Sequence, residues 1–330
     1  MRCAVVGAGA WGTALADLLA ANGAETTIWA HEPEVVQAIN ERHENTVFLA
    51  GHRLSESLRA TADAATAVSG ARLIIMAAPS PHVREVTRAM ASSVARGAVV
   101  VVASKGLERG SLSLMTDVVA EELGDPVVAL SGPSFAAEVA ARQPTAIVAA
   151  STQQDAAELT QQILSNTMFR VYTHDDVTGV ELGGALKNVM AVATGVAEGL
   201  GFGYNTRAAL ITRGLAEMSR LGAALGANPA TFAGLAGMGD LVLTCTGALS
   251  RNRALGIEIG KGATLAEALA GKATVAEGAN TTESACALAD RHGVEMPIAT
   301  MVRRVLFESY PARDAVGELM TRDLRAEQDP

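Results

Sequence analysis

The opening thirty residues limit the fold of this chain more than any other stretch. A short apolar run, Cys3 to Val6, ends at a glycine cluster, Gly7-Ala-Gly-Ala-Trp-Gly12. Leu15, Leu18 and Leu19 follow at helical spacing, with Gly23 as a stop, and a second β-like run, Glu25 to Ala30, closes the unit. Strand, glycine turn, helix and strand in this order form a βαβ unit of the dinucleotide-binding kind. Gly7 permits the tight turn, Gly9 lets backbone approach a pyrophosphate, and Gly12 lets the helix lie against the strand. The pyrophosphate then sits at the helix N-terminus, where free N–H groups and the dipole favour anions. Ala10 and Trp11 stand between the second and third glycines, and the indole is expected to point towards the crevice and cover the cofactor. Glycine turns are common, so the weight rests on the direct join of strand to helix. The alternative is an α/β turn that binds nothing.

The rest of the N-terminal half alternates apolar runs with helical patterns. The runs are Leu73 to Pro79, Ala98 to Ala103, Val127 to Leu130 and Thr145 to Ala149, each near-continuous, as parallel strands covered on both faces are. Helical patterns lie at Val83 to Val94, Leu112 to Leu123 and Asp155 to Leu164, and an extended stretch, Phe169 to Tyr172, ends the series. This predicts an α/β domain with a doubly wound parallel sheet over residues 1–178. From Val177 onward the β signal stops. Asp175 or Asp176 can cap a helix, Val180 to Leu200 is apolar on several faces, and further helical patterns run to Met320. A helix apolar around most of its circumference belongs in a core. Residues 179–330 therefore read as an all-α domain.

In open α/β sheets ligands bind at the carboxyl ends of strands. Lys105 directly follows an all-valine strand, so it faces the cofactor crevice or is a solvated loop lysine. Ser131-Gly-Pro-Ser-Phe-Ala136 offers backbone N–H groups to a ligand, or is an ordinary turn. Lys187 and Asn188 sit in a helix that is otherwise small and apolar. That lysine either snorkels to the surface or is buried as a proton donor and acceptor. Asp240, in Gly237-Met-Gly-Asp-Leu-Val-Leu-Thr-Cys-Thr246, follows a glycine and is placed to orient a nearby lysine. Ser250 is a candidate N-cap for a helix opening Arg251-Asn-Arg253. Such a start is a phosphate site, or else a surface helix with basic caps.

Composition narrows the ligand. A net charge of −9 and 3% aromatic residues argue against nucleic acid, which needs a basic surface or stacking platforms. An acidic protein that handles anions must concentrate positive charge locally. Three widely spaced cysteines, Cys3, Cys245 and Cys286, and six scattered histidines show no metal-ligand spacing, so no metal is expected. The apolar runs are too short to span a bilayer, and the chain opens on a strand rather than a leader, so a cytoplasmic protein with reduced thiols is expected.

The segments GAGAWGTALA, APSPHVRE, ASKGLE, SGPSFAAE, ELGGALKNVMA, NTRAALITRGLAEM, GMGDLVLTCTG, SRNRALG and VAEGANTTES occur in one order along the chain. Together they resemble the bacterial NAD(P)-dependent glycerol-3-phosphate dehydrogenases, over essentially its whole length. The resemblance implies a Rossmann domain followed by a helical domain like the C-terminal domain of 6-phosphogluconate dehydrogenase. It implies reduction of dihydroxyacetone phosphate to sn-glycerol 3-phosphate for phospholipid synthesis. Lys187 would be the proton donor and acceptor, with Lys105 stabilising the developing alkoxide and Asp240 orienting Lys187. Lys105, Gly132, Ser134, Lys187, Asn188, Asp240, Thr244, Ser250, Arg251 and Asn252 would line the substrate site. Besides Gly7, Gly9 and Gly12, the residues Ala10, Trp11, His31, Lys105, Ala136, Arg251, Val275 and Glu277 would contact the cofactor.

Two positions depart from the family. Tyr204 stands where an acidic residue usually precedes the Asn-Thr pair, and Leu49-Ala-Gly51 replaces Leu-Pro-Gly, which is expected to loosen that loop. Ala30 and His31 occupy the edge where an NAD-selective site places an acid, with Glu32 one step on, so NADP is favoured, alone or beside NAD. Two other readings compete: a 6-phosphogluconate or β-hydroxyacid dehydrogenase, which would leave GDLVLTCTG and SRN unexplained, and a non-catalytic dinucleotide sensor. The apolar helical domain is compatible with a homodimer.

Overall fold

The computed structural model describes residues 1–124, 127–270, 276–324 and 326–327. By its contacts the chain divides into two units, Met1–Glu108 with Ser113–Glu181, and Arg109–Leu112 with Leu182–Pro330.

The first unit opens β1 (Arg2–Val6), α1 (Ala10–Ala21), β2 (Glu25–Trp29), α2 (Pro33–Arg42), β3 (Glu44–Asn45), β4 (Leu49–Arg53), β5 (Arg59–Thr61) and α3 (Ala64–Val68). It continues β6 (Leu73–Met76), α4 (Val83–Met90), β7 (Val99–Val102), α5 (Met115–Leu123), β8 (Val127–Ser131), α6 (Ala136–Ala140), β9 (Thr145–Ala150), α7 (Gln154–Leu164) and β10 (Phe169–His174). Eight strands form one sheet in the order β10-β9-β8-β7-β6-β1-β2-β5. The order reverses at β1, which pairs with β2 on one side and β6 on the other, and this switch point is where such sheets open a crevice. Successive side chains of a strand point to opposite faces, so Val99 and Val101 enter one core layer with Leu15 and Ile28, while Val100 and Val102 enter the other with Met115 and Val118.

Two strands, β9 and β10, depart from the parallel sheet that the sequence predicts. β9 runs antiparallel to β8, pairing Leu130 with Ala149, whereas β10 lies parallel to β9. A parallel return needs a crossover that carries the chain back along the sheet. The link from β8 to β9 contains only the five-residue α6, which packs beside α1, and the chain re-enters the sheet from the end it left. An apolar strand buried on both faces carries no mark of its direction, so the run itself looked the same either way. Leu49-Ala50-Gly51 opens β4 of the β3–β4 hairpin, where Leu49 pairs with Asn45 and Arg53 with Glu44.

The second unit continues α8 (Val177–Gly199), of which the first residues belong to the first unit, and adds α9 (Tyr204–Ala224), α10 (Asp240–Thr246) and α11 (Arg251–Gly260). It ends with α12 (Leu265–Leu269), α13 (Glu277–His292), α14 (Pro297–Phe307) and α15 (Ala312–Met320), and its described residues form no strand. Asp176 caps α8, accepting from the Gly179 N–H at 2.8 Å. α8 and α11 cross backbone to backbone. A Cβ on Gly195 would lie 2.2 Å from the Arg253 carbonyl oxygen, and one on Gly256 would lie 2.2 Å from that of Val192. Gly199 and Gly260 repeat the arrangement one turn on, at 2.3 Å from Ile257 and Val196 oxygens. Buried Glu217 on α9 accepts from the Ile298 and Ala299 N–H groups at 2.7 and 3.3 Å, taking up two of the unbonded donors at the start of α14.

Candidate active site

The glycine loop is a shaped cradle. Gly7 has φ +116°, and a Cβ there would lie 2.8 Å from the Ala77 and Ala78 backbone; one on Gly12 would lie 1.9 Å from the Gly7 oxygen. A Cβ on Gly9 would meet nothing within 4 Å, so backbone there is open to a ligand. α1 starts after Gly9 with no capping side chain and no acidic residue in its first turn, which suits a pyrophosphate. The loop is held from the side by Asn45, whose Nδ2 donates to the Ala8 oxygen at 2.8 Å and to Thr13 Oγ1 at 2.9 Å, while Thr13 Oγ1 donates to the same Ala8 oxygen at 3.1 Å. Trp11 does not simply stand out over the crevice as expected. It is half-buried against the hydrophobic core, because it lies one turn before Leu15 on the apolar stripe of α1. At the end of β2, Ala30 is buried and His31 is exposed, its ring edge-on to Trp29 with centroids 6.4 Å apart.

At the carboxyl edge of the same sheet, Lys105 Nζ and Ser134 Oγ donate to the Gly132 carbonyl oxygen at 3.5 and 3.0 Å. Gly132 has φ +143°, and a Cβ there would lie 2.8 Å from Ile147 Cα, so the turn of this stretch requires glycine. Ala136 opens α6 and packs on the core. Lys105, Gly132 and Ser134 are thus one local cluster, as their positions after β7 and β8 imply.

In the second unit Lys187 is 7% exposed, so it does not snorkel. Its ammonium donates to Asp240 Oδ1 and, at 2.9 Å, to Thr244 Oγ1. Asp240 is 1% exposed and heads α10 directly after a wide turn, Leu235–Gly239. That turn lies close against α8: a Cβ on Gly183 would be 2.5 Å from the Ala236 oxygen. Burying one charge alone is costly, so lysine and aspartate are buried as a pair.

Next to Lys187, the buried Asn188 accepts through Oδ1 from Asn252 Nδ2 at 2.9 Å, and Asn252 Oδ1 accepts from the Gly278 backbone N–H at 2.9 Å. Ser250 caps α11, its Oγ accepting from the Arg253 N–H at 3.2 Å, and the first turn of that helix holds no acid. Arg251 is exposed there. Arg253 is bound instead by Glu198, at 2.7 and 2.9 Å, which also receives Arg207 at 2.7 Å. Glu277 begins α13 beside Gly278; Val275 lies outside the described residues.

Sequence reasoning did not find Asn45, Thr13, Glu198 or Gly278. The nearest available signals were a polar residue one position after Gly12 and the glycine inside Val-Ala-Glu-Gly-Ala-Asn. No group of three His, Cys, Asp or Glu residues fit to hold a metal exists among the described residues.

An anion cradle on a switched α/β sheet, and a paired buried ammonium in an all-helical unit, are the equipment of a nicotinamide-dependent dehydrogenase. Comparison with known proteins narrows that class. Residues 2–157 match the model of the NAD-dependent glycerol-3-phosphate dehydrogenase N-terminus, and residues 176–317 that of its C-terminus. The chain is 54% identical over 330 residues to a glycerol-3-phosphate dehydrogenase [NAD(P)+] of Geobacter sp. strain M21, covering 99% of this chain and 98% of the relative. It is 54% identical over 332 residues to the Trichlorobacter lovleyi enzyme of that name, covering 99% and 100%. The crystal structure of glycerol-3-phosphate dehydrogenase from Coxiella burnetii superposes with a TM-score of 0.94 at 41% identity, covering 97% of this chain and 99% of that one. This chain belongs to the NAD-dependent glycerol-3-phosphate dehydrogenase family.

Proposed function

We propose that the chain reversibly reduces dihydroxyacetone phosphate to sn-glycerol 3-phosphate with NAD(P)H, supplying the glycerol phosphate of phospholipids. The observation that carries this reading is the buried Lys187 ammonium held by Asp240 and Thr244. Bound nicotinamide supplies the hydride to the ketone carbon. Lys187 then gives a proton to the developing alkoxide and takes it back in the reverse direction. Asp240 keeps the ammonium charged before transfer and, with Thr244, aims it. Lys105 adds positive charge for the same oxygen. The phosphate is assigned to the start of α11, where Ser250, Arg251 and Asn252 combine a helix N-terminus with a guanidinium able to grip two oxygens. These cations account for an anionic substrate on a chain of net charge −9.

The glycine cradle, Ala10, Trp11, His31, Lys105, Ala136, Arg251, Val275 and Glu277 are assigned to the cofactor, with NADP favoured by the missing acid after β2. Family membership supports this reading over the hydroxyacid-dehydrogenase and sensor alternatives. Among the described residues no helix is long and apolar enough to cross a membrane. A cytoplasmic homodimer is the assembly we expect, and light scattering of the purified chain tests its dimeric state.

The direct test follows NAD(P)H oxidation with dihydroxyacetone phosphate, and NAD(P)+ reduction with sn-glycerol 3-phosphate, 6-phosphogluconate and hydroxyacids. Turnover confined to the triose phosphate pair is expected. Lys187→Ala should abolish it and leave NADPH affinity within about twofold. Preserved turnover in that variant would remove Lys187 from the mechanism.

A further inference from the structure

Asn188, Asn252 and Gly278 form a chain of side-chain and backbone amides whose direction is not free. A primary amide can generally turn over, exchanging its donor end for its acceptor end. A backbone N–H cannot; it only donates. The Gly278 N–H lies 2.9 Å from the Asn252 amide, so Asn252 must turn Oδ1 towards it. That leaves Nδ2 of Asn252 facing Asn188, 2.9 Å from its Oδ1. Asn188 is then obliged to spend its oxygen inward, and its Nδ2 is buried with no hydrogen-bond partner. A buried, unsatisfied N–H group is costly, and a ligand acceptor would relieve that cost.

Gly278 suits this role in shape as well. A Cβ there would lie 2.7 Å from the Asn188 carbonyl oxygen and 2.9 Å from Asn252 Oδ1, so only glycine brings its N–H this close. We propose that the Gly278 N–H sets the polarity of the amide chain, so that Asn188 shows the substrate a hydrogen-bond donor. Asn252 and Gly278 are its positioning residues. The inference rests on the function proposed above, and it deepens it. The group that Asn188 reads is an oxygen that accepts, the carbonyl or a phosphate oxygen of a ketose phosphate.

A double-mutant cycle tests the polarity. Asn252→Asp still offers an oxygen to Gly278 but faces Asn188 with a second oxygen, so Asn188 turns over and shows the substrate its carbonyl. Asn188→Ala removes that response. In the otherwise unchanged chain, Asn252→Asp should lower kcat/KM for dihydroxyacetone phosphate at least ~10-fold more than it does in the Asn188→Ala background. Repulsion between Asp and phosphate is common to both backgrounds and cancels. Asn188→Asp, which shows only acceptors, should be slower than Asn188→Ala. Melting temperature reports any structural loss separately. Equal effects of Asn252→Asp in the two backgrounds, or an Asn188→Asp variant faster than Asn188→Ala, would overturn the inference while leaving the function in place. An unmodified chain inactive on dihydroxyacetone phosphate would instead overturn the functional reading beneath it.

Discussion

Asn45 Nδ2 lies 2.8 Å from the carbonyl oxygen of Ala8, so a residue of the β3–β4 hairpin holds the turn that would carry the pyrophosphate. Both partners are buried. Asn45→Ala leaves a buried carbonyl with one fewer donor, at a cost of about 1–3 kcal/mol. The expected result is a lower melting temperature together with a KM for NADPH raised ~10-fold, while kcat with saturating cofactor changes little. A drop in kcat at unchanged KM would place the effect elsewhere.

Asp240→Asn keeps the size of the side chain and removes its charge from beside Lys187. The ammonium, left buried without its counter-charge, will shed its proton at lower pH. The alkaline limb of the pH profile of dihydroxyacetone phosphate reduction, where the proton donor is lost, should therefore move to lower pH, with kcat reduced ~100-fold or more. Thr244→Val, which removes a hydroxyl that accepts from Lys187 at 2.9 Å and donates to the Asp240 backbone oxygen at 2.6 Å but leaves the counter-charge in place, should cost less, ~10-fold. An unshifted profile in Asp240→Asn would mean that the pair is merely structural.

With Ala30 and His31 directly after β2 and the first acid one step on at Glu32, a ribose 2′-phosphate is expected to be tolerated. NADPH should be used at least as efficiently as NADH, which a comparison of kcat/KM decides. A large preference for NADH would reject the assignment. His31→Asp should move the ratio towards NADH, because a carboxylate accepts from a ribose hydroxyl and repels a 2′-phosphate.

Glu217 makes the stability of the helical unit depend on pH. Burial raises its carboxyl from 4.5 to about 7, partly offset by the N–H groups of α14 and by Arg220 and Arg322. Between those pH values the unfolded chain is ionised at this site while the folded one retains its proton. Stability contributed here therefore falls as pH rises from about 4.5 to about 7, then levels. Glu217→Gln can still accept from Ile298 through its one amide oxygen but does not ionise, and the lost Ala299 contact is a constant offset that leaves the slope with pH unaffected. The melting temperature of the variant relative to the parent should climb between pH 5 and pH 8 (roughly, the window either side of that titration). Glu181, raised to about 8 by burial, is present in both proteins and drops out of the difference. Parallel curves would exclude Glu217 as the cause.

Legibility followed the range of each interaction. The glycine turn and the strands were readable because local spacing and composition encode them. Lys187 was visible as a charge out of place, but whether it snorkels or is buried depends on α10, which brings Asp240 from 53 residues away. The direction of β9 was hidden because Thr145 to Ala149 is equally apolar for either pairing. Asn45 reaches Ala8 across 37 residues, and Asn252 reaches Asn188 across 64, with no local pattern marking either asparagine. Glu198 carries no local mark of its role, because Arg207 and Arg253 reach it only in the folded chain.

The glycine crossing of α8 and α11 has a consequence for substrate size. Lys187 is carried by one helix and Arg251 by the other, and the two helices meet where Gly195 and Gly256 touch. An added Cβ on either glycine would meet the partner helix's backbone, so neither position can be enlarged by degrees. With Lys187 and Arg251 in the roles proposed above, the crossing would set the span between the reacting oxygen and the phosphate. Change of substrate length in relatives of this protein should therefore come through the mouths of the loops, and not by parting these two helices.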